Sequence, residues 1–312
     1  MEKQNPKRRH HYIPVFYLNG FTGSDECLYV YNKDNKPVFK SSPEGIAYEI
    51  DYFSFSTSEG VKDSETIENN ISELEGQFAP VINKISRHDE LSVDDRILFS
   101  IFVASMMIRV PNMRNNIMKS TGEMLKHVSV FMASHKERFE RMMEGYEKNV
   151  GEQIDMNVEE LRQFMRNPNN YNVIFSKEYA TAIALSLLEK LANTFFQMKW
   201  QFLEATDDYK YMTGDSPLQY IDPRHDLHSF RGVGIASSPN IEVSLPLSKN
   251  ICAFGTWKHR EGYGQAKNQH VKHLNKRTVA ASVKFVFADK ESKVIDEFVK
   301  KYKGSHHVAI VN

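Results

Sequence analysis

Cysteine is almost missing from this chain. Only Cys27 and Cys252 occur in 312 residues, too few for a disulfide framework or a thiolate zinc knuckle, and such usage predicts a reducing cytoplasm. Long apolar runs are missing too. The best of them, Ile97 to Ile108, is interrupted by Ser100 and Ser105 and stops at Pro111, short of the roughly 20 residues of a membrane span. It reads as a buried helix, and no membrane partner is expected. The polar start, Met1 to Pro14, lacks the apolar core of a secretory signal. Net charge is absent, with 40 Lys plus Arg against 40 Asp plus Glu, while 41% of residues are hydrophobic. These figures exclude a uniformly basic nucleic-acid coat and a disordered tail. There is no P-loop, no G-x-G-x-x-G after a strand and no G-x-S-x-G, so nucleotide-fold and α/β-hydrolase readings lack their usual support.

The charge that is present is unevenly spread. Glu44 to Glu75 carries nine acids against Lys62 alone, whereas Trp257 to Lys284 carries seven bases against Glu261 alone. Lys3, Lys7, Arg8 and Arg9 add a basic N-terminus. If the two basic segments meet in the fold they form a local anion-binding surface; otherwise they are solvated faces.

The length suits one large domain or two small ones, and periodicity predicts an α+β protein. Its β-rich N- and C-terminal segments form a sheet that encloses, or packs against, a central bundle of helices. Residues 1–60 read as β-rich, with a hairpin over Cys27 to Lys40 and a weak strand over Ile50 to Ser56. Residues 64–205 read as helical. Ile67, Ile71, Leu74 and Phe78 make one stripe, Ser92-Val-Asp-Asp95 is a capping-box start, and Ile183 to Phe202 carries a stripe that predicts one long helix from Ser176. Residues 209–312 return to strands at Tyr209–Thr213, Val233–Ala236, Ile241–Leu245 and Ile251–Phe254, with a helix from about Ala266 and a strand ending at Ala288.

Several residue types fit chemistry. His10 and His11 are adjacent, so on a strand they point to opposite faces; imidazole serves as general base or metal ligand near neutrality. Asp215, in Met212-Thr-Gly-Asp-Ser-Pro-Leu218, follows a strand end where loops present catalytic carboxylates, or it closes a turn by accepting backbone N–H bonds. Glu68 and Glu75 share one side of a helix about 10 Å apart, too far for a dyad. Arg109 closes the apolar helix and either binds a ligand carboxylate or phosphate or pairs with Glu75. His225 and His228, like His270 and His273, stand three apart without completing a known metal motif.

In order along the chain, these segments resemble a bacterial family known only as domain of unknown function 4238. The resemblance rests on His10-His11-Tyr12-Ile13-Pro14, the following Phe16-Tyr17-Leu18-Asn19-Gly20-Phe21, the Glu-bearing helix with Glu68 and Glu75, Arg109-Val110-Pro111, Thr213-Gly214-Asp215-Ser216-Pro217, Pro246-Leu247-Ser248 and Leu274-Asn275. Gly214 stands where the family usually has Ser, which removes a hydroxyl beside Asp215. The resemblance implies a single integrated domain over 1–312 whose polar motifs come from both ends and the middle, and it names no activity.

The leading expectation is a phosphodiester hydrolase acting on RNA or DNA, in a phage-defence or toxin-like setting. His10 or His11 would be the base. Asp215 with Glu75 would hold a divalent metal, Mg²⁺ or Mn²⁺, or orient the histidine. Arg109, Asn275 and Arg9 would contact the phosphate. The alternative is a non-catalytic sensor or binding module for nucleic acid or a partner protein, in which the His-His-x-x-Pro segment is structural. A metal-independent hydrolase of another small substrate is the third reading.

Overall fold

The computed structural model describes residues 8–56, 62–151, 156–224, 234–258 and 260–304. The N-terminal part is built of short extended pieces: β1 (Arg9–His11), helix α1 (Val15–Asn19), β2 (Leu28–Asn32), β3 (Phe39–Ser41), β4 (Tyr48–Ile50), β5 (Phe55–Ser56) and β6 (Lys62–Asp63). Helices follow: α2 (Thr66–Ser86), α3 (Val93–Ile108), α4 (Pro111–Ala133), α5 (Lys136–Val150), α6 (Val158–Met165), α7 (Lys177–Ser186) and α8 (Leu188–Gln197). The remainder holds β7 (Lys199–Glu204), β8 (Thr213–Gly214), β9 (Gln219–Ile221), β10 (Glu242–Pro246), β11 (Ile251–Thr256), β12 (Gly262–Gln265), α9 (Asn268–Ala281), β13 (Phe285–Ala288) and α10 (Lys293–Tyr302). The class is α+β, as the periodicity predicts. None of the described helices is long and apolar enough to cross a membrane.

Local chemistry explains the main boundaries. Ser92 and Asp95 form a reciprocal capping box at the start of α3. Arg109 is the C-cap of that helix and Pro111 opens α4, where a missing N–H is harmless. The hairpin over residues 27–40 forms as β2 and β3, with Leu28 opposite Ser41. Two expectations change. The stripe from Ser176 breaks at Leu187 and ends at Gln197, and Lys199–Glu204 is a strand. There a period of two buries Trp200 and Phe202, and pairing with both β11 and β12 overrides the helical stripe. The expected strands over 241–245 and 251–254 form as β10 and β11, whereas of the expected run 209–213 only Thr213 joins a sheet, and 235–237 form a turn.

The contacts divide the chain into two units. The first, Met1–Arg114 with Thr181–Asn312, holds both larger sheets. One has the order β12-β7-β11-β10-β9 and the other β3-β2-β13-β8, so an N-terminal strand lies beside one from the far end of the sequence. The main core lies where α1, α2, α3 and α8 meet Trp200, Phe202, Val243, Leu245 and Ala253 of the first sheet. Tyr17, Phe78 and Phe102 are buried there almost completely. The second unit, Asn115–Ala180, is helical; Arg162 donates to the Ala133 carbonyl closing α4, and Gly151 takes φ +74° at the end of α5, the left-handed turn that glycine adopts without strain.

Candidate functional site

Strand β1 pairs antiparallel with β4, His10 opposite Glu49 and His11 opposite Tyr48. The alternation expected of a strand places the two histidines in different environments. His10 is wholly buried, its ring stacked on Phe53, and its Nδ1 accepts the Phe53 N–H at 2.8 Å. An accepting Nδ1 leaves Nε2 to carry the ring N–H and ties this imidazole to the turn at 51–53. His11 is half-buried and donates through Nε2 to the Glu44 carbonyl at 3.1 Å, which leaves Nδ1 as the acceptor. Burial pushes the His11 pKa below its ordinary value, with the Arg109 charge acting the same way; the Glu44 carbonyl and Glu75 oppose it. Arg9, two residues from His11 on the same face, lies 5.1 Å from the centre of the Tyr48 ring, and His11 meets that ring edge-on.

Arg109 is 4% exposed. One guanidinium nitrogen donates to Glu75 Oε1 at 2.7 Å and the other to the His11 carbonyl at 2.6 Å. His11, Glu75 and Arg109 are therefore brought together, and the pairing of Arg109 with Glu75 anticipated from sequence is present. Arg114 adds a parallel tie, donating to both Glu49 oxygens at 3.2 and 3.0 Å with its guanidinium 4.3 Å from the Tyr52 ring centre. Both arginines clamp the β1–β4 ribbon to the turn between α3 and α4.

Asp215 lies elsewhere, at the junction of α9 and β13. Its Oδ1 accepts the Val283 N–H at 2.7 Å, and its Oδ2 accepts those of Lys284 and Phe285 at 2.7 and 2.9 Å. Burial pushes the carboxyl above the ordinary range, while these three donors and the Lys33 ammonium pull it back. Lys33 in turn donates to the carbonyls of Val279, Ala280 and Ser282, so one anion and one cation satisfy opposite backbone groups at the end of α9. Tyr17 connects the motifs further: its hydroxyl donates to the Pro246 carbonyl at 2.6 Å and bonds the Thr213 hydroxyl at 2.8 Å. The glycine beside Asp215 has a steric cause. A Cβ on Gly214 would fall 2.0 Å from Ser282 Oγ and 2.9 Å from the Phe285 carbonyl, so the Ser282 hydroxyl fills the space a larger residue 214 needs.

Asn275, on α9, clamps the chain before β8: its Oδ1 accepts the Met212 N–H and its Nδ2 donates to the Lys210 carbonyl, both at 2.9 Å. His10, Asp215 and Asn275 thus all bond backbone groups. Among the described residues no three His, Cys, Asp or Glu side chains group as a metal-holding set; Glu75 faces Arg109 and Asp215 faces three N–H groups. The pair at 225 and 228 lies outside the described residues.

Asn275 does border a cleft of about 530 Å³ between α9, α10 and the 208–212 segment. Lys210, Lys272, Lys290 and Lys301 line it against Asp208 and Asp289, together with Tyr209, Phe298 and Tyr302. The Lys272 ammonium lies 4.4 Å from the centre of the Tyr209 ring, and those of Lys276 and Lys301 lie 5.2 and 5.4 Å from that of Tyr302. The charge count over 257–284 contained part of this signal. The other part, Tyr209-Lys-Tyr211 and Lys300-Lys-Tyr-Lys303, makes no cluster in sequence because its residues meet only in the fold.

The pattern of tying residues, from the β1 histidines through Arg109 and Asp215 to Asn275, coincides with a family model described as a protein of unknown function, DUF4238, which matches residues 9–292. The chain belongs to the DUF4238 family. No curated protein and no solved structure matches it. In this DUF4238 chain the matched region takes in every motif residue above, from Arg9 to Asn275.

Proposed function

We propose that the protein is a non-catalytic binding module for single-stranded nucleic acid, held in the cleft between α9 and α10. The observation that carries this reading is the set of lysines resting on tyrosine rings around a cleft of about 530 Å³. Lysine ammoniums neutralise phosphates, and tyrosine faces stack bases without regard to sequence. An entering base displaces the ammonium from the ring face, and the freed lysine turns to the phosphate beside it. The backbone roles of His10, Asp215 and Asn275 support a scaffold in place of a reaction centre.

Fluorescence anisotropy with a labelled oligothymidine tests this. Binding weakens as salt rises, with a slope of about 0.7 per neutralised phosphate. Tyr209→Ala weakens it by about 1–3 kcal/mol, and Lys272→Glu with Lys301→Glu abolishes it. Absence of binding at low salt refutes the reading.

One observation favours phosphodiester hydrolysis as a second reading: His11 keeps Nδ1 as an acceptor beside Arg109 and Glu75. In that case His11→Ala, but not Lys272→Glu, removes any cleavage of RNA or DNA seen with Mg²⁺ or Mn²⁺.

A further inference from the structure

A second cavity, of about 350 Å³, opens between the start of α3, the end of α8 and strands β7 and β12. Its walls are aromatic. Trp200 and Phe202 project from one face of β7, and Phe99 of α3 meets both edge-on, with centroids 5.1 and 5.5 Å away. Tyr263, opposite Phe202 on the parallel neighbour strand, packs 5.3 Å from it, carries the His88 ring stacked on it at 4.5 Å, and is fixed by a hydroxyl bond to the Asp89 carbonyl at 3.0 Å. The Trp200 indole N–H is engaged with the Phe195 carbonyl at 2.9 Å, so Trp200 lines the cavity with ring carbon and leaves it no free donor.

The rim is acidic. Asp89, Glu90 and Glu261 stand on it, and Glu261 is paired with both Arg96 and Lys199. Arg96 donates to Glu261 at 2.8 Å and lies 5.9 Å from the Phe196 ring centre, so the cavity wall already carries one cation between a ring and a carboxylate. Among the described residues neither Asp89 nor Glu90 has an ion-pair partner. Aromatic walls exclude a strongly hydrated metal ion, and the acidic rim repels anions. Both features favour a bulky, weakly hydrated organic cation.

We propose that this cavity binds a small alkylammonium ligand, with Tyr263 and Trp200 as ring walls and Asp89 and Glu90 as charge partners. The site shares no residue with the lysine-lined cleft and stands independently of the nucleic-acid reading.

Calorimetry on the full chain tests it, with choline as probe and 3,3-dimethyl-1-butanol as its uncharged isostere. Choline binds, and the isostere binds at least about tenfold more weakly, since ring quadrupole and rim act on charge. Tyr263→Leu, at a partly exposed position on an edge strand, lowers choline affinity about tenfold. Asp89→Asn with Glu90→Gln, both exposed, lowers it about threefold at low salt and less at high salt. Lys272→Glu with Lys301→Glu leaves it unchanged. Equal binding of choline and isostere, full affinity in the rim variant, or no choline binding at about 10 mM overturns the assignment. Tighter binding of a trimethyllysine peptide than of choline places the headgroup on a protein chain and overturns the small-ligand assignment.

Discussion

Replacing Asp215 separates a scaffold carboxylate from a reacting one. In Asp215→Ala the N–H groups of Val283, Lys284 and Phe285 lose their acceptor inside a region where Asp215 itself is 5% exposed. A buried donor left without a partner costs about 1–3 kcal/mol; these three bonds are part-buried, so water meets part of the loss and the sum is about 2–4 kcal/mol, a large share of a typical folding free energy of about 5–15 kcal/mol. Asp215→Asn keeps one carbonyl oxygen, which can serve the Lys284 and Phe285 donors that now share Oδ2, and it removes the penalty of burying a charge. Its cost is the Val283 bond and the weaker neutral acceptor, about 1–2 kcal/mol. Urea denaturation followed by tryptophan fluorescence gives both numbers, and thermal midpoints fall by roughly 2 °C per kcal/mol. An Asp215→Ala protein within about 0.5 kcal/mol of the parent refutes the argument. So does an Asn variant as damaged as the Ala variant.

Gly214→Ser meets Ser282 and the Phe285 carbonyl and destabilises by about 2 kcal/mol; adding Ser282→Gly relieves the side-chain clash, and the two changes measured singly and together must be non-additive. For His11, whose folded pKa lies below the ordinary 6.5, the folded state binds fewer protons than the unfolded one. Its contribution is therefore complete above 6.5 and is lost as pH falls from there through the folded value. His11→Gln flattens the stability profile below pH 6.5 in urea titrations, and an unchanged slope contradicts this. Burial pushes the Cys252 thiol up to about 12, whereas Cys27 is half-exposed; iodoacetamide therefore labels Cys27 alone in the native protein, as mass spectrometry of the peptides will show.

What could be read in advance was local. The 27–40 hairpin, the Ser92 and Asp95 box and the opposite faces of His10 and His11 follow from neighbours in sequence. Arg109 with Glu75 was one of two open options, since a helix end and an acid stripe suggest a pairing without fixing it. The partners of Asp215 are 68 to 70 residues away, and Lys33 reaches the end of α9 some 246 to 249 residues on. No periodicity encodes such distances. The same reason hides β7: Met198 and Phe202 continue a helical stripe while Trp200 and Phe202 alternate as in a strand, and β11 and β12 on either side decide between them.

The seat of β2 in its sheet sets a condition on synthesis. β2 lies between β3 and β13, and Asn32 pairs with Phe285. A ribosome adding about 5–20 residues per second needs roughly 10–50 s after β2 emerges before its second neighbour exists. Throughout that interval one edge of an apolar strand, Leu28-Tyr-Val-Tyr-Asn32, stays unpaired and open to other nascent chains. Yield on expression should therefore depend on chaperone supply and on slow, cool growth more than on the stability of the finished fold.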